Sequence, residues 1–401
     1  MEPIISSRIR FLYLFSMISL VFVHGYTLQT QLQSPSDLIG ESLNFTSFFE
    51  MLVVNGLLRF RIPLLMLMSG YLMAKSSCHS QVCLIKSRIK SLVIPFFLIS
   101  VLSILLVFVL EEVFYFNSTT ALWVTRVDHL RFKGLMYRIF INPFAYQLWY
   151  IKFIFLLAVL FPVLKFLNNK IPLIFLTVLF FLWVFTEHSN LFIHARFSFF
   201  FVLGMLVYEK KVDIIQQPKW FSTSGFLALF IFLGIVKTYL SFKGFELMGA
   251  QAALVTRMLF DANILIGILL FWFGIDTIVI KFENFRWYER ATKYGFFIYA
   301  FHAPIINLLN SPSLEMTKSI VGNRLIVFLI MPIVVIVFCV ILHELVKKYS
   351  PGFFQLLTGA RTKGAEAPHL LVFEPEFTNT YIRINKNLAH KYALFSQPLT
   401  Y

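Results

Sequence analysis

Residues 55–75 read NGLLRFRIPLLMLMSGYLMAK, and the fold class turns on this stretch. It is apolar enough to cross a bilayer, yet it carries Arg59 and Arg61 with apolar residues on both sides. An ionised arginine near the centre of a bilayer costs about 2.5 to 3.5 kcal/mol on insertion scales, so such residues face a bundle interior or a wet cavity. Two of them in one span imply a helical bundle with a polar interior.

Composition agrees. The 401 residues are 58% hydrophobic and 14% charged, with 49 phenylalanines, and the mean hydropathy is +0.77. A soluble domain with a solvated surface is excluded. Repeated apolar runs of about twenty residues indicate α-helical spans, where an outer-membrane barrel has alternating segments of about ten. The chain is therefore read as an all-α, polytopic transmembrane bundle whose solvent is the lipid bilayer. The net charge of +15 gathers beside the apolar runs as topology signals rather than on a long polar face, so nucleic acid is not expected as a partner.

Hydropathy predicts ten spans, near 9–28, 47–74, 91–111, 148–165, 171–187, 195–209, 220–240, 254–275, 294–310 and 324–346. The first follows a short basic lead and no small-residue cleavage site comes after it, so it is expected to be retained. Placing both termini in the cytoplasm puts the richer share of Lys and Arg inside. Residues 1–348 then form the transmembrane domain and 349–401 a polar cytoplasmic tail, whose alternating LLVFEPEFTNTYIRI suits a hairpin or a disordered segment. Residues 112–147 form the longest outer loop and read as an interfacial amphipathic helix. Cys78, Cys83 and Cys339 are too few for a disulfide framework and read as reduced thiols; Cys78-His79 and Cys83 make only half a metal site, so no metal is expected. No glycine-rich phosphate loop is present in the sequence.

Counting from the basic flanks locates the intramembrane polar groups. His24 lies fourteen residues from Arg10 and Arg61 fourteen from Lys75, about 21 Å at 1.5 Å per residue. Arg59 lies on the same turn region, and Lys152 is thirteen residues from Lys165, about 20 Å. His302 is nearer the midplane, nine residues from Lys293 or about 14 Å. No carboxylate is expected at the level of the arginines; Asp261 has the spacing of an intrahelical pair with Arg257. A positive pocket of this kind suits a phosphorylated ligand, and a neutral histidine beside it suits proton removal from a hydroxyl. The same pocket also suits passage of an anion or a glycan through a transporter or flippase, and residue chemistry alone leaves both readings open.

Six segments carry a resemblance: SRIRFLYLFSMISLVFVHGY, RFRIPLLMLMSGYL, KSRIKSLVIPFF, QLWYIKFIFLLAVLFPVL, RFSFFFVLGMLVYEKK and YGFFIYAFHAPII. In this order, over roughly residues 8 to 348, they resemble the membrane acyltransferase-3 family of bacterial O-acyltransferases, most closely its fucose 4-O-acetylase-like branch. The resemblance implies ten helices in the bacterial cytoplasmic (inner) membrane. It also implies transfer of an acyl group, most often acetyl from acetyl-CoA, to a sugar hydroxyl of a surface polysaccharide, such as O-antigen or capsule, or of its lipid-linked precursor. His24 matches the family's first-span histidine, its general base; Arg59 and Arg61 match the arginines before the Ser-Gly motif and join the catalytic set. Arg88 matches the first basic position of an Arg-x-x-Arg motif, and Lys86, Lys90 and Arg10 would share the donor's phosphates with it. Lys152 and His302 would face the acceptor. Tyr13, Ser91 and Phe153 stand where many relatives have arginine, arginine and aspartate.

Overall fold

The computed structural model describes residues 3–27, 38–76, 78, 80–113, 131–185 and 194–359. These residues form sixteen α-helices with short π and 3-10 segments, and no strand occurs among them. Helix α1, Pro3–His24, runs through the bundle with Leu12, Met17, Val21 and Val23 buried.

The span expected at 47–74 is not one helix. Helix α2, Phe45–Met51, is capped by Asn44, whose side chain accepts from the Ser47 amide at 2.9 Å. It passes into a π-helical segment, Leu52–Leu57, and then into a turn before α3, Arg61–Ala74. Pro63 explains the position of the break. It has no N–H, and its ring would collide with the Arg59 carbonyl in a continuous helix, so it is accommodated in the first turn of a new one. Arg59 and Arg61 therefore lie at a helix break and not along an unbroken span. A proline further on is accommodated without a break. Helix α4, Gln81–Arg88, passes through a π segment, Ile89–Val93, into α5, Ile94–Val113, whose second residue is Pro95.

Ser80 caps α4 by accepting from the Cys83 amide at 3.1 Å. The same turn brings Cys78 and Cys83 together in a disulfide, Cα atoms 5.6 Å apart, where separate reduced thiols were expected; Cys339 is free and buried. Helix α6, Phe132–Phe140, has no buried residue, in keeping with an interfacial helix, and exposes Phe132, Tyr137 and Phe140. The rest of that loop, 114–130, lies outside the described residues. A 3-10 turn, Tyr146–Leu148, leads into α7, Trp149–Val159, which is bent by 62° against α8, Phe161–Lys170. Pro162 again sits in the first turn after the bend.

Helices α9, Pro172–Phe185, and α10, Ala195–Glu209, follow. Helix α10 crosses α3 at Gly204 and Gly70: a Cβ on Gly70 would sit 1.9 Å from the Phe201 carbonyl oxygen, and one on Gly204 would sit 2.0 Å from that of Leu67. The two backbones touch, as small-residue crossings between membrane helices allow. Helices α11, Thr223–Met248, and α12, Ala252–Phe273, turn at Gly249 (φ +56°) and pack as a hairpin, with the rings of Phe230 and Phe271 6.2 Å apart. Then come α13, Asp276–Glu283; α14, Arg286–Met316; α15, Asn323–Tyr349; and α16, Pro351–Leu357.

Each of the ten expected spans coincides with helix. By length and apolarity, five described segments can cross a membrane: Ile4–His24, Phe45–Ala74, Gln81–Val109, Thr223–Phe273 and Asn323–Tyr349, with the bent α7–α8 pair a sixth. Thr223–Phe273 holds two of the expected spans, whereas α9 and α10 are short and α14 is comparatively polar. The hairpin expected in the tail falls on 360–401, outside the described residues.

Two buried clamps tie distant parts of the chain together. Arg8, 1% exposed, makes a bidentate pair with Asp276 at 2.6 and 2.7 Å and donates to the carbonyls of Ile214 and Ile215 at 2.6 and 2.7 Å. Glu50, buried on α2, accepts from the amide and the hydroxyl of Thr27, both at 2.7 Å. Arg324 at the start of α15 pairs with Glu41 at 2.5 Å in the same region.

Candidate active site

His24 is the last residue of α1, and the chain must turn at once beyond it. Gly25 lets α14 and α15 approach closely there: a Cβ would lie 2.9 Å from Pro332 and 3.0 Å from Ile306. Nδ1 of His24 is 2.6 Å from the hydroxyl of Tyr146, and the two rings meet edge to face with centroids 4.9 Å apart. Tyr146 comes from the 3-10 turn before α7. That turn is fastened to α14 by its neighbour Gln147, whose side chain donates to the Ala300 carbonyl at 2.8 Å while its own carbonyl accepts from the Tyr299 hydroxyl at 2.7 Å. The Tyr146 hydroxyl also bonds Asn307 of α14.

On the other side of His24 stands His302, with ring centroids 5.4 Å apart and planes 29° from parallel. Its Nδ1 lies 2.8 Å from the Ile298 carbonyl and 3.0 Å from that of Tyr299. Carbonyls only accept, so Nδ1 carries the hydrogen and Nε2 carries the lone pair. The residue is 0% exposed, and Nε2 meets no hydrogen-bond partner among the described residues. A buried acceptor left unsatisfied costs about 1 to 3 kcal/mol, which suits a position that a ligand completes.

Arg59 and Arg61 are both within electrostatic reach of His24 and of Tyr146. The Arg59 Nε donates to the Asn55 side chain at 2.6 Å, and Asn55, in the π-helical segment, leans on the Met51 sulfur at 3.1 Å. Arg61 is 1% exposed and gives one N–H to the Leu58 carbonyl at 2.8 Å, while its Nε has no partner among the described residues. Neither guanidinium pairs with a carboxylate among those residues. The exposed turn-end carbonyl at Leu58 and the π segment thus hold both arginines by neutral acceptors and leave their charge uncompensated, an arrangement π segments often serve at functional sites. Ser69, of the Ser-Gly-Tyr sequence, is joined to Tyr150 of α7 at 3.0 Å, which braces α3 against the helix that follows Tyr146.

The other sequence candidates take separate places. Lys152 reaches the Ile141 carbonyl at 2.6 Å and lies 6.0 Å from the Phe96 ring centroid. Arg10 pairs with Glu283 at 2.8 Å. Lys86 and Lys90 are exposed while Arg88 is buried, so these three do not form one surface patch. Tyr13, standing where relatives have arginine, packs its ring on Gly295 of α14. Asp261 does not form the expected intrahelical pair: it bonds Arg196 of α10 at 3.0 Å and the Trp183 indole at 3.0 Å, while Arg257 turns to the Trp183 carbonyl at 3.0 Å. Arg196 in turn lies within electrostatic reach of Arg59. No group of three metal-ligating side chains occurs among the described residues.

Sequence reasoning missed Tyr146, Asn307, Asn55 and Glu50. Asn55 and Asn307 were detectable as amides within apolar runs, which need partners in a membrane. Tyr146 gave no such signal.

A family model described as an acyltransferase domain matches residues 9–344. The chain belongs to the acyltransferase-3 family. The segments that carried the resemblance fall within the matched region except for the first two residues of the first, Ser7 and Arg8, and every residue of the His24 cluster lies inside it. This acyltransferase-3 protein is accordingly a multi-pass membrane acyltransferase that uses an acyl donor. Comparison with curated proteins and with solved structures found no match.

Proposed function

We propose that the protein transfers an acetyl group from acetyl-CoA, supplied on the cytoplasmic side of a bacterial inner membrane, to a sugar hydroxyl of a surface glycan or its lipid-linked precursor. The observation that supports this most is the pairing of a half-buried histidine with two arginines that meet no carboxylate among the described residues, at the break before α3. Acyl transfer needs both kinds of group: a base for the attacking hydroxyl and positive donors for the oxyanion that develops on the carbonyl.

In this reading His24 takes the proton as the sugar oxygen attacks the thioester carbon. Arg61 and Arg59 stabilise the resulting oxyanion. Collapse of the tetrahedral intermediate breaks the carbon–sulfur bond, and the leaving thiolate takes the proton back from His24, giving ester and free CoA. His302 offers its Nε2 lone pair to the acceptor or donor as a hydrogen-bond acceptor. Lys86 and Lys90, which are exposed, meet the phosphates of the donor at the membrane edge, whereas Arg88 is buried and Arg10 is paired with Glu283; Lys152 meets the acceptor from the opposite end of α7.

The test is transfer of labelled acetyl from acetyl-CoA into the glycan fraction of membranes holding wild type, His24→Ala or Arg59→Ala at equal folded abundance. Label entering only with wild type supports the reading. Equal label in all three removes the site assignment, and protein-dependent export of glycan without any transfer replaces the transferase by a transporter.

A further inference from the structure

A histidine acting as a base must present a lone pair, and which nitrogen does so is set by the bond at the other. For His24 that second bond is to Tyr146, 2.6 Å from Nδ1. We infer that Tyr146 is a positioning residue that holds His24 with its hydrogen on Nδ1, leaving Nε2 as the nitrogen that takes the acceptor's proton. This rests on the transferase reading above.

Three features support it. A phenol has one hydrogen to give and lone pairs to accept with, and the Tyr146 hydroxyl has two side-chain partners, His24 and Asn307. Engagement of Nδ1 by the phenol leaves Nε2 as the nitrogen open to a substrate, and Nε2 takes a proton only where the hydrogen sits on Nδ1 and the phenol oxygen accepts it. Second, Tyr146 is presented rigidly, because Gln147 beside it is bonded to α14 through both its side chain and its carbonyl. Third, the edge-to-face contact at 4.9 Å fixes the plane of the imidazole. Catalytic histidines elsewhere are commonly oriented by a carboxylate. Here a neutral hydroxyl does the same work within electrostatic reach of two guanidinium groups, where a carboxylate would pair with arginine instead.

Tyr146→Phe is a clean probe: it keeps the ring contact and removes only the oxygen. Two measurements on purified full-length protein decide the matter. The first is the kcat and donor KM of wild type, Tyr146→Phe, His24→Ala and the double variant. Loss of one orienting hydrogen bond is expected to lower kcat about tenfold with KM for acetyl-CoA unchanged, and to have no further effect once His24 is alanine. The second is the 15N spectrum of histidine-labelled protein without any substrate, with the His24 signals assigned by their loss in His24→Gln. Wild type is expected to show a protonated Nδ1 and a bare Nε2, with both tautomers populated in Tyr146→Phe.

A wild-type hydrogen on Nε2, or a tautomer and kcat unaffected by Tyr146→Phe, overturns the inference. A wild type that shows the Tyr146-dependent tautomer yet turns over no acetyl-CoA overturns the transferase reading instead, and leaves the positioning role standing.

Discussion

Gly70→Ala acts where α3 and α10 touch. The new methyl carbon would begin 1.9 Å from the Phe201 carbonyl oxygen, with the carbonyl carbon at 2.8 Å and Cα at 3.1 Å. A carbon and an oxygen approach one another comfortably at about 3.3 Å, so the helices must part by about 1.4 Å at the crossing. All three obstructing atoms are backbone, so no side chain can swing away. Overpacking of this kind costs typically about 1 to 3 kcal/mol, and the upper end is expected because the strain falls on two main chains. Helix α3 also carries Arg61 at its start and Ser69 beside the glycine, so the movement travels to the site. The assay is the fraction of detergent-purified protein remaining monodisperse after heating, read together with acetyl transfer per folded molecule. Gly70→Ala should lower the midpoint, Gly70→Ser should lower it at least as much, and Gly70→Ala with Gly204→Ala should fall short of the sum, because both relieve the same crossing. A Gly70→Ala protein with wild-type thermal stability would refute the backbone contact.

Arg61→Met should abolish transfer while leaving thermal stability equal to wild type or higher, because it replaces an uncompensated buried charge by an apolar side chain of similar length; a marked loss of stability would show that Arg61 is a structural bond. Arg8→Ala should destabilise by about 1 to 3 kcal/mol, since it removes the bonds of a buried guanidinium to the partly exposed Asp276 and to the carbonyls of Ile214 and Ile215, and heating the purified variant reads this directly. Tyr150→Phe should cost about 1 kcal/mol through loss of the bond to Ser69, with transfer per folded molecule falling less than for Tyr146→Phe; the reverse order would place Tyr150, and not Tyr146, next to the chemistry.

Helix positions were legible because hydrophobic runs of bilayer length are the strongest signal a sequence carries. The interruptions were less so. A hydropathy average passes smoothly over Pro63, Pro95 and Pro162, although the missing N–H and the ring mark a new helix at Pro63 and Pro162 and a π segment ahead of Pro95. His24, Arg59 and Arg61 were legible as costly residues at a common depth, and His302 as a second intramembrane histidine. Tyr146 was not, for a physical reason: it lies 122 residues from His24, in a turn that no periodicity marks, and a tyrosine near the end of a span is ordinary at an interface. The Asp261 expectation failed because spacing along one helix says nothing of a better partner on the next, here Arg196.

The interruption between Leu57 and Arg61 has a consequence for angular phase. In an unbroken α-helix, residues two apart are rotated by about 200°, so Arg59 and Arg61 would aim at opposite neighbours and only one could serve His24. Both guanidinium groups nevertheless lie within electrostatic reach of one imidazole, and the π segment and the turn interrupt the helix just before α3. Whatever the acyl group meets there, one short stretch of chain, interrupted just before Pro63 begins its new helix, brings both charges within reach of the same base.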